Sequence, residues 1–386
     1  MKKILINAIS IKEGGGVVVL TKLLETMSSL QVKIQWIVVV DASMRSKINI
    51  TKNVKLLCFP WVKLSPLHLA YWYEFYLPYI VSKLQVDLVF SQTNFLPLRK
   101  LPCPTLLLVH QAGYFSEIFL KLQRQYTQYW YQNWYQKLNW KARRSWANVS
   151  IKRATCVTVQ TQALADAIVQ NIKIHNNKIV VIPHGAGLAS GARYVRSFTL
   201  PDTWRIGYIT KYGIQKNFEI LFQTIQQLKL RGKTCKLILT LNPICDTFNT
   251  VASMFKKYNI DDCIENHGEI YAAEIRNLYN TLNIFVFPSL CESFGFTLVE
   301  AMYYGLPILA IDTQSNRELL GAGGMFFPAQ QSDILLQKIC NVMENKEVYV
   351  KSQNYSLITS AKYEWDTTAK SLLNIINKTI HDKGLE

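Results

Sequence analysis

The chain has 386 residues, of which 49% are hydrophobic, and 43 Lys and Arg against 26 Asp and Glu give it a formal net charge of +17. This length and composition suit two packed domains, and they exclude a transmembrane helix because no apolar run approaches the roughly 20 residues that a bilayer requires. Eight scattered cysteines without metal-ligand or redox spacing argue against zinc and favour reduced thiols in a cytosolic protein, while the charge leaves nucleic acid, an anionic membrane and phosphorylated substrates open.

Seven short apolar runs divide the first half of the chain, from KILINAI near the beginning to KIVVIP, which ends at Pro183. The opening MKKILINAIS lacks a small-residue cleavage pattern, so we interpret it as a first strand rather than a signal peptide. Continuous β-branched runs of this length are typical of strands buried on both faces. We therefore predict a parallel α/β domain over residues 1–185.

A second alternating series begins after a Gly-, Ser- and Ala-rich stretch, which we interpret as a linker over residues 186–204. The run RIGYIT starts a new order of strands and helices over residues 205–364, which predicts a second doubly wound domain. A closing helix over about residues 365–386 is expected to pack back on the first domain. Two such domains back to back place a ligand cleft at the carboxyl ends of both sheets.

The segment PSLCESFGFTLVEAMYYGLP, residues 288–307, contains two glutamates in otherwise apolar surroundings. Glu292 lies in a predicted loop and Glu300 in the predicted helix that follows a turn at Gly295. Free N–H groups at such a helix start attract a phosphate, and carboxylates beside it accept bonds from hydroxyls, which suits a nucleotide-sugar. The alternative is that both glutamates are ordinary surface residues.

The longer run LYNTLNIFVFPSLCESFGFTLVEAMYYGLPILAIDTQSNREL resembles the donor-binding signature of retaining glycosyltransferase family 4. The resemblance includes the two glutamates with seven residues between them, Pro-Ser before the loop, Phe-Gly-Phe, Glu-Ala-Met, Gly-Leu-Pro and Asn-Arg-Glu. It implies an α/β fold of the GT-B type, in which two Rossmann-like, doubly wound domains face a central cleft. The second domain would hold most of the nucleotide-sugar.

The resemblance also implies roles for individual residues. Glu300 would accept the ribose hydroxyls, and Glu292 would contact the transferred sugar. The diphosphate would lie against Ser293, Phe294, Gly295, Phe296 and Thr297.

Two lysines follow the first strand of the second domain, in GYITKYGIQKNFEIL. Lys216 matches the family's phosphate-binding lysine. The family usually has an arginine a few residues earlier, where this chain offers Lys211, whose ammonium lacks the two-pronged geometry of a guanidinium. Solvent-exposed charge is the alternative for both lysines.

The reaction that the resemblance implies retains anomeric configuration without a protein nucleophile, because the departing phosphate oxygen accepts the acceptor's proton on the same face. The Asp-x-Asp motif of the other large glycosyltransferase fold is absent, so we expect no metal and no cofactor besides the donor. Lys216 and the helix start would then stabilise the leaving group.

Two features of the first domain point toward the same ligand. Gly15 and Gly16 belong to a glycine turn that permits close backbone approach to a phosphate, although a plain flexible turn is the alternative. His110 ends the strand PTLLLVH, at the edge where α/β folds bind ligands, and is a candidate contact for the sugar or acceptor. The family often has His-Asp here, whereas this chain has His110 followed by Gln111.

Residues 121–153 carry eight basic side chains, eight aromatic rings and no acid. Such a mixture suits the headgroup region of an anionic membrane and also single-stranded nucleic acid. A helix whose rings pack on its own domain is the alternative. Because the segment lies in the expected acceptor domain, we predict a membrane or acceptor surface formed by Trp130, Trp134, Lys137, Lys141, Arg143 and Arg144.

The sequence therefore predicts a retaining, metal-independent glycosyltransferase at the cytoplasmic face of a membrane. Its partners would be a nucleoside-diphosphate sugar and a glycan acceptor, lipid-linked as in lipopolysaccharide, O-antigen or capsule assembly, with no nucleic acid. A GT-B epimerase or phosphorylase and a nonenzymatic membrane- or nucleic-acid-binding protein remain the alternatives.

Overall fold

The computed structural model describes residues 1–30, 33–49, 51–125, 130–187, 195–196 and 198–381. The chain forms two compact units that each combine separate stretches. The first unit comprises Met1–Phe115, Thr127–Gly185 and Glu364–Glu386, and the second comprises Ser116–Tyr126 and Ala186–Tyr363.

The first unit is built on a seven-stranded parallel sheet with the order β3-β2-β1-β4-β5-β6-β7. In its centre Ile4 lies opposite Trp36 on one side and Leu88 on the other. Its apolar strands are buried on both faces because helices cover the sheet. The strands are β1 (Lys2–Ala8), β2 (Ile34–Val40), β3 (Val54–Cys58), β4 (Leu88–Ser91), β5 (Thr105–Leu108), β6 (Cys156–Val159) and β7 (Ile179–Val181).

The helices of the first unit include one near the end of the described chain, α14, which packs against α1 at the beginning. Between α2 and α3 the helix continues through a π-helical turn, Trp72–Tyr76. The helices are α1 (Gly15–Ser29), α2 (Pro66–Tyr71), α3 (Leu77–Leu84), α5 (Trp130–Arg153), α6 (Gln162–Ile172) and α14 (Trp365–His381).

The second unit repeats the architecture with a six-stranded parallel sheet in the order β10-β9-β8-β11-β12-β13. The strands are β8 (Trp204–Tyr208), β9 (Cys235–Leu239), β10 (Ile264–Asn266), β11 (Ile284–Phe287), β12 (Ile308–Ile311) and β13 (Met325–Phe327). The helices are α4 (Glu117–Gln125), α7 (Phe218–Leu230), α8 (Asp246–Lys257), α9 (Ala272–Thr281), α10 (Phe296–Tyr303), α11 (Gln314–Leu320), α12 (Ser332–Glu344) and α13 (Lys346–Ser360).

Helix α4 belongs to the second unit although it interrupts the first in sequence. It packs against the short turn Ile214–Lys216 that precedes α7. The sequence offered no signal for this, because α4 lies within the continuous series of first-domain elements.

The end of the predicted linker is fastened to the second unit by Arg196. Its guanidinium donates to the carbonyl oxygens of Tyr279 at 2.5 Å, Leu282 at 2.6 Å and Tyr304 at 2.7 Å. Residues 188–194 and 197 of the linker lie outside the described part of the chain. At Arg196 the chain is thus attached to the second unit.

In both sheets the order of the strands reverses beside the first strand, which forms a topological switch point. In the first unit β1 lies between β2 and β4, and in the second β8 lies between β9 and β11. Loops that leave the carboxyl ends of such neighbouring strands diverge, and open α/β sheets bind ligands in the crevice that results. In the second unit these are the loops after β8 and β11, which contain the predicted site residues Lys211, Lys216, Glu292, Ser293, Phe294 and Gly295.

Candidate active site

The loop after β8 brings Lys216 to the beginning of α7. The turn Ile214–Lys216 is followed by Asn217, whose φ of 49° is left-handed, and the helix begins at Phe218. The buried ring of Phe218 lies between Tyr208, at 5.3 Å, and Tyr212, at 6.0 Å. This packing fixes the start of the helix and therefore the position of the lysine beside it.

The loop after β11 places Glu292 against that lysine. Lys216 Nζ donates to Glu292 Oε1, and Ser289 Oγ donates to the same oxygen at 2.5 Å. The lysine and glutamate side chains are only 15% and 21% exposed, so water screens the pair poorly. The Leu290 amide also donates to Gln215 O at 2.8 Å, which joins the two loops through their backbones.

Tyr208, at the end of β8, supports this ion pair from the core. Its hydroxyl donates to Lys216 O at 3.2 Å. Burial, together with the negative charge of Glu292, raises the pKa of Tyr208 well above its usual value. The phenol therefore stays neutral at physiological pH and keeps its role as a donor.

The start of α10 has the geometry of an anion site. Gly295 precedes the helix with a left-handed φ of 75°, and a Cβ at this position would lie 3.1 Å from the Phe287 ring. Both constraints favour glycine. The first N–H groups of α10, from Phe296 and Thr297, lie at the positive end of the helix dipole.

The neighbouring Phe294 is fixed in the core, where its ring packs edge-on against Phe296 at 5.3 Å and Tyr363 at 5.7 Å. It therefore offers a ligand only its backbone. Ser293 precedes it with a partly buried side chain.

Glu300 is buried in the second turn of α10. Tyr279 OH donates to Glu300 Oε2 at 2.8 Å, and a Cβ added at Gly187 would overlap Glu300 Oε1. Burial and the Glu300 charge raise the pKa of Tyr279 well above its usual value, so the phenol stays a donor. One carboxylate oxygen is thus oriented by a tyrosine, while the other faces backbone that only glycine can bring so close.

The sequence did not identify three of these residues as partners of the predicted site residues. Tyr279 lies 21 positions before Glu300, Ser289 was noted only as part of the Pro-Ser signature, and Gly187 lies in the predicted linker. The glycine-rich composition of the linker was the one available signal for Gly187.

Lys211 lies apart from the Lys216–Glu292 pair. Its ammonium forms an ion pair with Glu269 at 3.4 Å, and both side chains are more than half exposed. Exposed pairs of this kind contribute little to stability. The predicted contact between Lys211 and a phosphate stays a prediction.

In the first unit the glycine turn is partly helical. Gly15 and Gly16 form the first residues of α1, and Gly14 precedes them with a left-handed φ of 67°. A Cβ at Gly16 would lie 3.3 Å from the Ile11 side chain. The glycines thus allow α1 to begin close to the end of β1, and they place its N-terminus at the carboxyl edge of the sheet.

His110 follows β5 and is held through its backbone. The amides of His110 and Gln111 both donate to Asn94 Oδ1, at 2.8 and 3.2 Å. Burial lowers the pKa of His110 to about 4. The imidazole is therefore neutral at physiological pH.

A second histidine lies near it. Burial, together with the charge that His110 would carry, lowers the pKa of His184 to about 3, and its ring stacks on Trp365 at 5.6 Å. No motif or spacing in the sequence connects His110 with His184.

The basic aromatic segment forms α5, and its side chains divide into two groups. Trp134, Lys137, Lys141 and Arg143 are exposed, whereas Arg144 is partly buried and donates to Asn171 Oδ1 at 3.2 Å. The Trp130 side chain lies outside the described part of the structure, as do residues 126–129.

Two other tryptophans of α5 pack against the first unit. Trp140 lies 4.7 Å from Tyr114, and Trp146 lies 4.6 Å from Phe95. Packing within the first unit accounts for these two tryptophans, but it does not account for the exposed basic and aromatic side chains of α5.

Among the described residues, no group of three or more His, Cys, Asp and Glu side chains is placed to hold a metal ion. Within the same residues, no helix combines the length and the apolar character of a membrane span. None of the eight cysteines, all of which lie in the described part of the chain, forms a disulfide bond.

Two family models match the chain, and together they span most of it. The model described as Glycosyltransferase Family 4 matches residues 13–189. The model described as Glycosyl transferases group 1 matches residues 196–357.

Curated relatives include the serotype-specific mannosyltransferase WbdA of Escherichia coli, one form of which is 36% identical over 232 residues, or 56% of this chain and 28% of the relative. The O-antigen chain mannosyltransferase RfbU of Salmonella typhimurium is 20% identical over 58% of this chain and 60% of its own length. The chain thus spans less than two thirds of each of these relatives.

Solved structures of similar fold cover nearly the whole chain. A sucrose-phosphate synthase from Thermosynechococcus elongatus has a TM-score of 0.77 at 15% identity, over 99% of this chain and 100% of its own. HepE from Anabaena, solved in complex with UDP-glucose, has a TM-score of 0.72 at 17% identity, over 98% of this chain and 100% of its own.

The two parallel sheets, their switch points, the two family matches and these neighbours agree with one another. The fold is the α/β fold of the GT-B glycosyltransferases, and the chain belongs to glycosyltransferase family 4.

Proposed function

We propose that the chain transfers a sugar from a nucleoside-diphosphate sugar to a glycan acceptor, with retention of anomeric configuration and without a metal ion. The observation that carries this proposal is the shielded Lys216–Glu292 pair beside the start of α10, with Glu300 buried in the same helix. A cation, a helix N-terminus and two carboxylates match the diphosphate and the two hydroxyl-bearing ends of such a donor.

Donor binding would rearrange the Lys216–Glu292 pair. The diphosphate carries two negative charges against the one of the carboxylate, so the lysine turns toward it and the N–H groups of Phe296 and Thr297 bind the same phosphates. Glu292, still held by Ser289, then accepts from a hydroxyl of the sugar. Glu300 accepts from the ribose hydroxyls while Tyr279 orients it.

The chemical step breaks the bond between the anomeric carbon and the phosphate oxygen. Negative charge grows on the leaving diphosphate, and Lys216 with the α10 N-terminus stabilises that charge more strongly than in the ground state. The departing oxygen takes the proton of the acceptor hydroxyl, which forms the new bond on the same face. The nucleoside diphosphate leaves, and no protein nucleophile is needed.

The same groups would serve in place of a metal ion. A divalent cation normally neutralises a leaving diphosphate, and here the lysine and the helix N-terminus supply the positive charge. Transfer that continues unchanged in excess EDTA is the expected result. Activity that requires added Mg²⁺ or Mn²⁺ would refute metal independence and leave glycosyl transfer intact.

We propose a hexose as the sugar and a lipid-linked glycan as the acceptor, in the assembly of a lipopolysaccharide, O-antigen or capsule. The names of the relatives WbdA and RfbU support the sugar class and the second name supports the pathway class. The enzyme would work at the cytoplasmic face of the membrane, on which the exposed Trp134, Lys137, Lys141 and Arg143 of α5 could rest.

A donor screen tests the proposal. UDP-, GDP-, ADP- and dTDP-sugars are added to the protein, and the correct donor should raise Tm because it binds the folded state. At a concentration of 100 times Kd, binding adds about 2.7 kcal/mol to the free energy of unfolding. The anomeric configuration of the product, measured by NMR with that donor, should equal that of the donor. If none of the nucleotides shifts Tm, a nonenzymatic binding protein becomes the better interpretation; an inverted product would refute retention alone.

A further inference from the structure

A second exposed surface lies in the first unit, on the helix formed by α2, the Trp72–Tyr76 turn and α3. One face of this helix is core. Trp72, Tyr73, Leu77 and Val81 are buried, and Tyr73 packs edge-on against Trp146 of α5 at 4.7 Å. The helix is therefore firmly attached, and its opposite face points to solvent.

That opposite face is apolar as well. Leu67, Tyr71, Phe75 and Tyr79 recur at every fourth position and are 79%, 52%, 51% and 53% exposed. Residues four apart lie side by side on a helix, and Tyr71 stacks on Phe75 at 5.6 Å, so the four side chains form one row. We call this row the apolar stripe. Leu64 and Leu98 extend it with exposed side chains.

A row of this kind is unusual on a soluble protein. Single exposed apolar residues need no explanation, but the solvent face of a helix is ordinarily polar, and contiguous apolar patches mark interaction sites. Core packing does not account for the stripe, because the same helix already buries its other face.

Basic residues border the apolar stripe. Arg99 Cζ lies 4.5 Å from the centre of the Phe75 ring, and Lys83 Nζ lies 5.4 Å from the centre of the Tyr79 ring. Both are cation–π distances, so the charges are held beside the rings. Lys100 is exposed in the same loop as Arg99, and Lys63, next to Leu64, is exposed but pairs with the buried Asp41 at 3.5 Å.

Acidic residues are almost missing from this region, and the ones present are occupied. Residues 41–116 contain eight Lys and Arg but only three acids, Asp41, Glu74 and Asp87, and Asp41 pairs with Lys63. Glu74 Oε1 accepts from the Leu98 amide at 2.7 Å, and Asp87 Oδ2 accepts from the Lys3 amide at 2.6 Å. The Glu74 contact ties the loop with Arg99 and Lys100 to the helix, so the loop and the stripe form one surface.

A pocket of about 270 Å³ opens beside this surface. Arg99, Lys100 and Arg153 line it together with Leu96, Thr105 and Thr155, and its lining contains no acidic residue. The three cations surround space in which an anionic group of the size of a phosphate fits. Arg99 belongs to both features, because it also contacts the ring of Phe75.

We propose that this surface docks the enzyme on an anionic lipid bilayer. The apolar stripe lies at the boundary between headgroups and acyl chains, and the pocket of Arg99, Lys100 and Arg153 receives the phosphate of a lipid headgroup. Amphipathic helices bind membranes in this way, and aromatic rings beside basic residues are typical of the membrane–water interface.

The composition of the surface favours lipid over other partners. Single-stranded nucleic acid stacks on aromatic rings but gains little from Leu64 and Leu67. The core of a protein interface is depleted of charge, whereas here two cations lie directly over the exposed rings. A bilayer satisfies aliphatic, aromatic and basic groups together, because its apolar interior and its phosphates lie a few ångströms apart.

This inference deepens the proposed membrane association, but it names a surface other than the exposed part of α5 and uses none of the proposed sugar-transfer residues. The two surfaces make different predictions, so they are separable by mutation.

The test is flotation of the full chain with phosphatidylcholine vesicles and with equimolar phosphatidylcholine–phosphatidylglycerol vesicles, without donor. We expect the native protein to float with the anionic vesicles only. Y71S/F75S/Y79S should abolish flotation, and R99S/K100S/R153S should weaken binding by about a hundredfold, since each basic residue near the surface contributes about 1 kcal/mol. Because the three basic side chains are exposed, the second variant keeps the test valid if the first fails to fold.

Matched controls lie in the second unit. L230S/I358S removes exposed apolar side chains, and K346S/K351S/K362S removes the same number of exposed positive charges. Neither control should change flotation. The variant K137S/K141S/R143S tests α5 in the same assay.

Three results would overturn the proposal. In the first, the native protein does not float, although transfer to a soluble acceptor still proceeds. In the second, only the α5 variant loses flotation. In the third, the stripe variant abolishes self-association in ultracentrifugation, or binding to a single-stranded RNA, and leaves flotation unchanged.

Discussion

The two units share one architecture but present different chemistry at corresponding edges. After β8 and β11 the second unit brings together a lysine, two glutamates and a helix N-terminus, and Lys216 and Glu292 form a shielded ion pair. At the carboxyl ends of β4, β5 and β6 in the first unit the side chains are polar but uncharged. Asn7 donates to Ser91 Oγ at 3.3 Å, the Tyr73 and Thr93 hydroxyls are 2.6 Å apart, and burial keeps His110 neutral.

The contrast teaches that the doubly wound fold provides a place for a ligand, whereas the residues at its strand ends decide the ligand's charge. The second unit is suited to an anion. Beside β4, β5 and β6 the first unit presents neutral hydrogen-bonding groups. Each of the following predictions tests one side of this comparison.

The largest effect is expected at Lys216. Lys216→Ala should lower kcat by about 10²- to 10³-fold, because it removes a donor that acts mainly on the charge developing in the transition state. Transfer rates at saturating donor measure this. Lys229→Ala is the matched control, since it removes a lysine–carboxylate pair, with Asp262 at 2.5 Å, from another part of the same unit. An equal loss in both variants would mean that Lys216 acts through stability alone.

Removal of the phenol that orients Glu300 should give the next effect. Tyr279→Phe should raise the KM for the donor about tenfold with little change in kcat, because a hydrogen bond to a charged group is lost from a binding contact. Tyr258→Phe removes a tyrosine–glutamate bond of 2.7 Å, to Glu219, elsewhere in the unit and should leave KM unchanged. A fall in kcat with constant KM would place Glu300 in the chemical step instead.

The neutral histidines of the first unit predict a pH effect on stability. The pKa values of His110 and His184 fall from 6.5 to about 4 and about 3 on folding, so the unfolded chain takes up protons first as the pH falls. Well above pH 6.5 both histidines are neutral in the folded and the unfolded chain, so they do not change the free energy of unfolding. As the pH falls through 6.5 the unfolded chain is protonated first, and the free energy of unfolding decreases. Tm measured between about pH 7 and about pH 5 should decrease less in His184→Phe than in the native protein.

The exposed His175→Asn is the control for that measurement and should follow the native curve. A His184→Phe curve parallel to the native one would show that the buried ring does not resist protonation.

The smallest effect is expected at Lys211, whose ion pair with Glu269 is open to solvent. Lys211→Ala should change the free energy of unfolding by less than about 0.5 kcal/mol and the transfer rate by less than about threefold. Urea denaturation and the transfer assay measure these. A loss as large as that of Lys216→Ala would show that Lys211 replaces the family's arginine at the phosphates. The anion-binding site would then extend along the loop.

Local pattern was sufficient to predict the alternating strands and helices, two doubly wound domains and the elements that carry Glu300 and Lys216, while the GT-B fold followed from the resemblance to glycosyltransferase family 4. Local pattern could not predict which residues far apart in the sequence are in contact in the fold. Lys216 and Glu292 are 76 residues apart, and no periodicity connects them. Tyr279 reads as an ordinary buried aromatic residue of a helix, and only its position beside α10 gives it a role.

The apolar stripe was missed for a different reason. In LHLAYWYEFYLPY the buried Trp72 and Tyr73 are as apolar as the exposed Tyr71 and Phe75, so the sequence shows no polar face that would identify the solvent side. Amphipathic periodicity predicts orientation only when one face is polar.

Helix α14 has a consequence for biosynthesis. Trp365 stacks on His184, Thr368 Oγ1 donates to Pro183 O at 2.8 Å, and Leu372 and Ile376 are buried in the first unit. The ribosome therefore completes the second unit before it delivers the helix that finishes the first. During translation the incomplete first unit exposes the apolar groove that α14 later fills, and this interval is when a chaperone would protect the nascent chain.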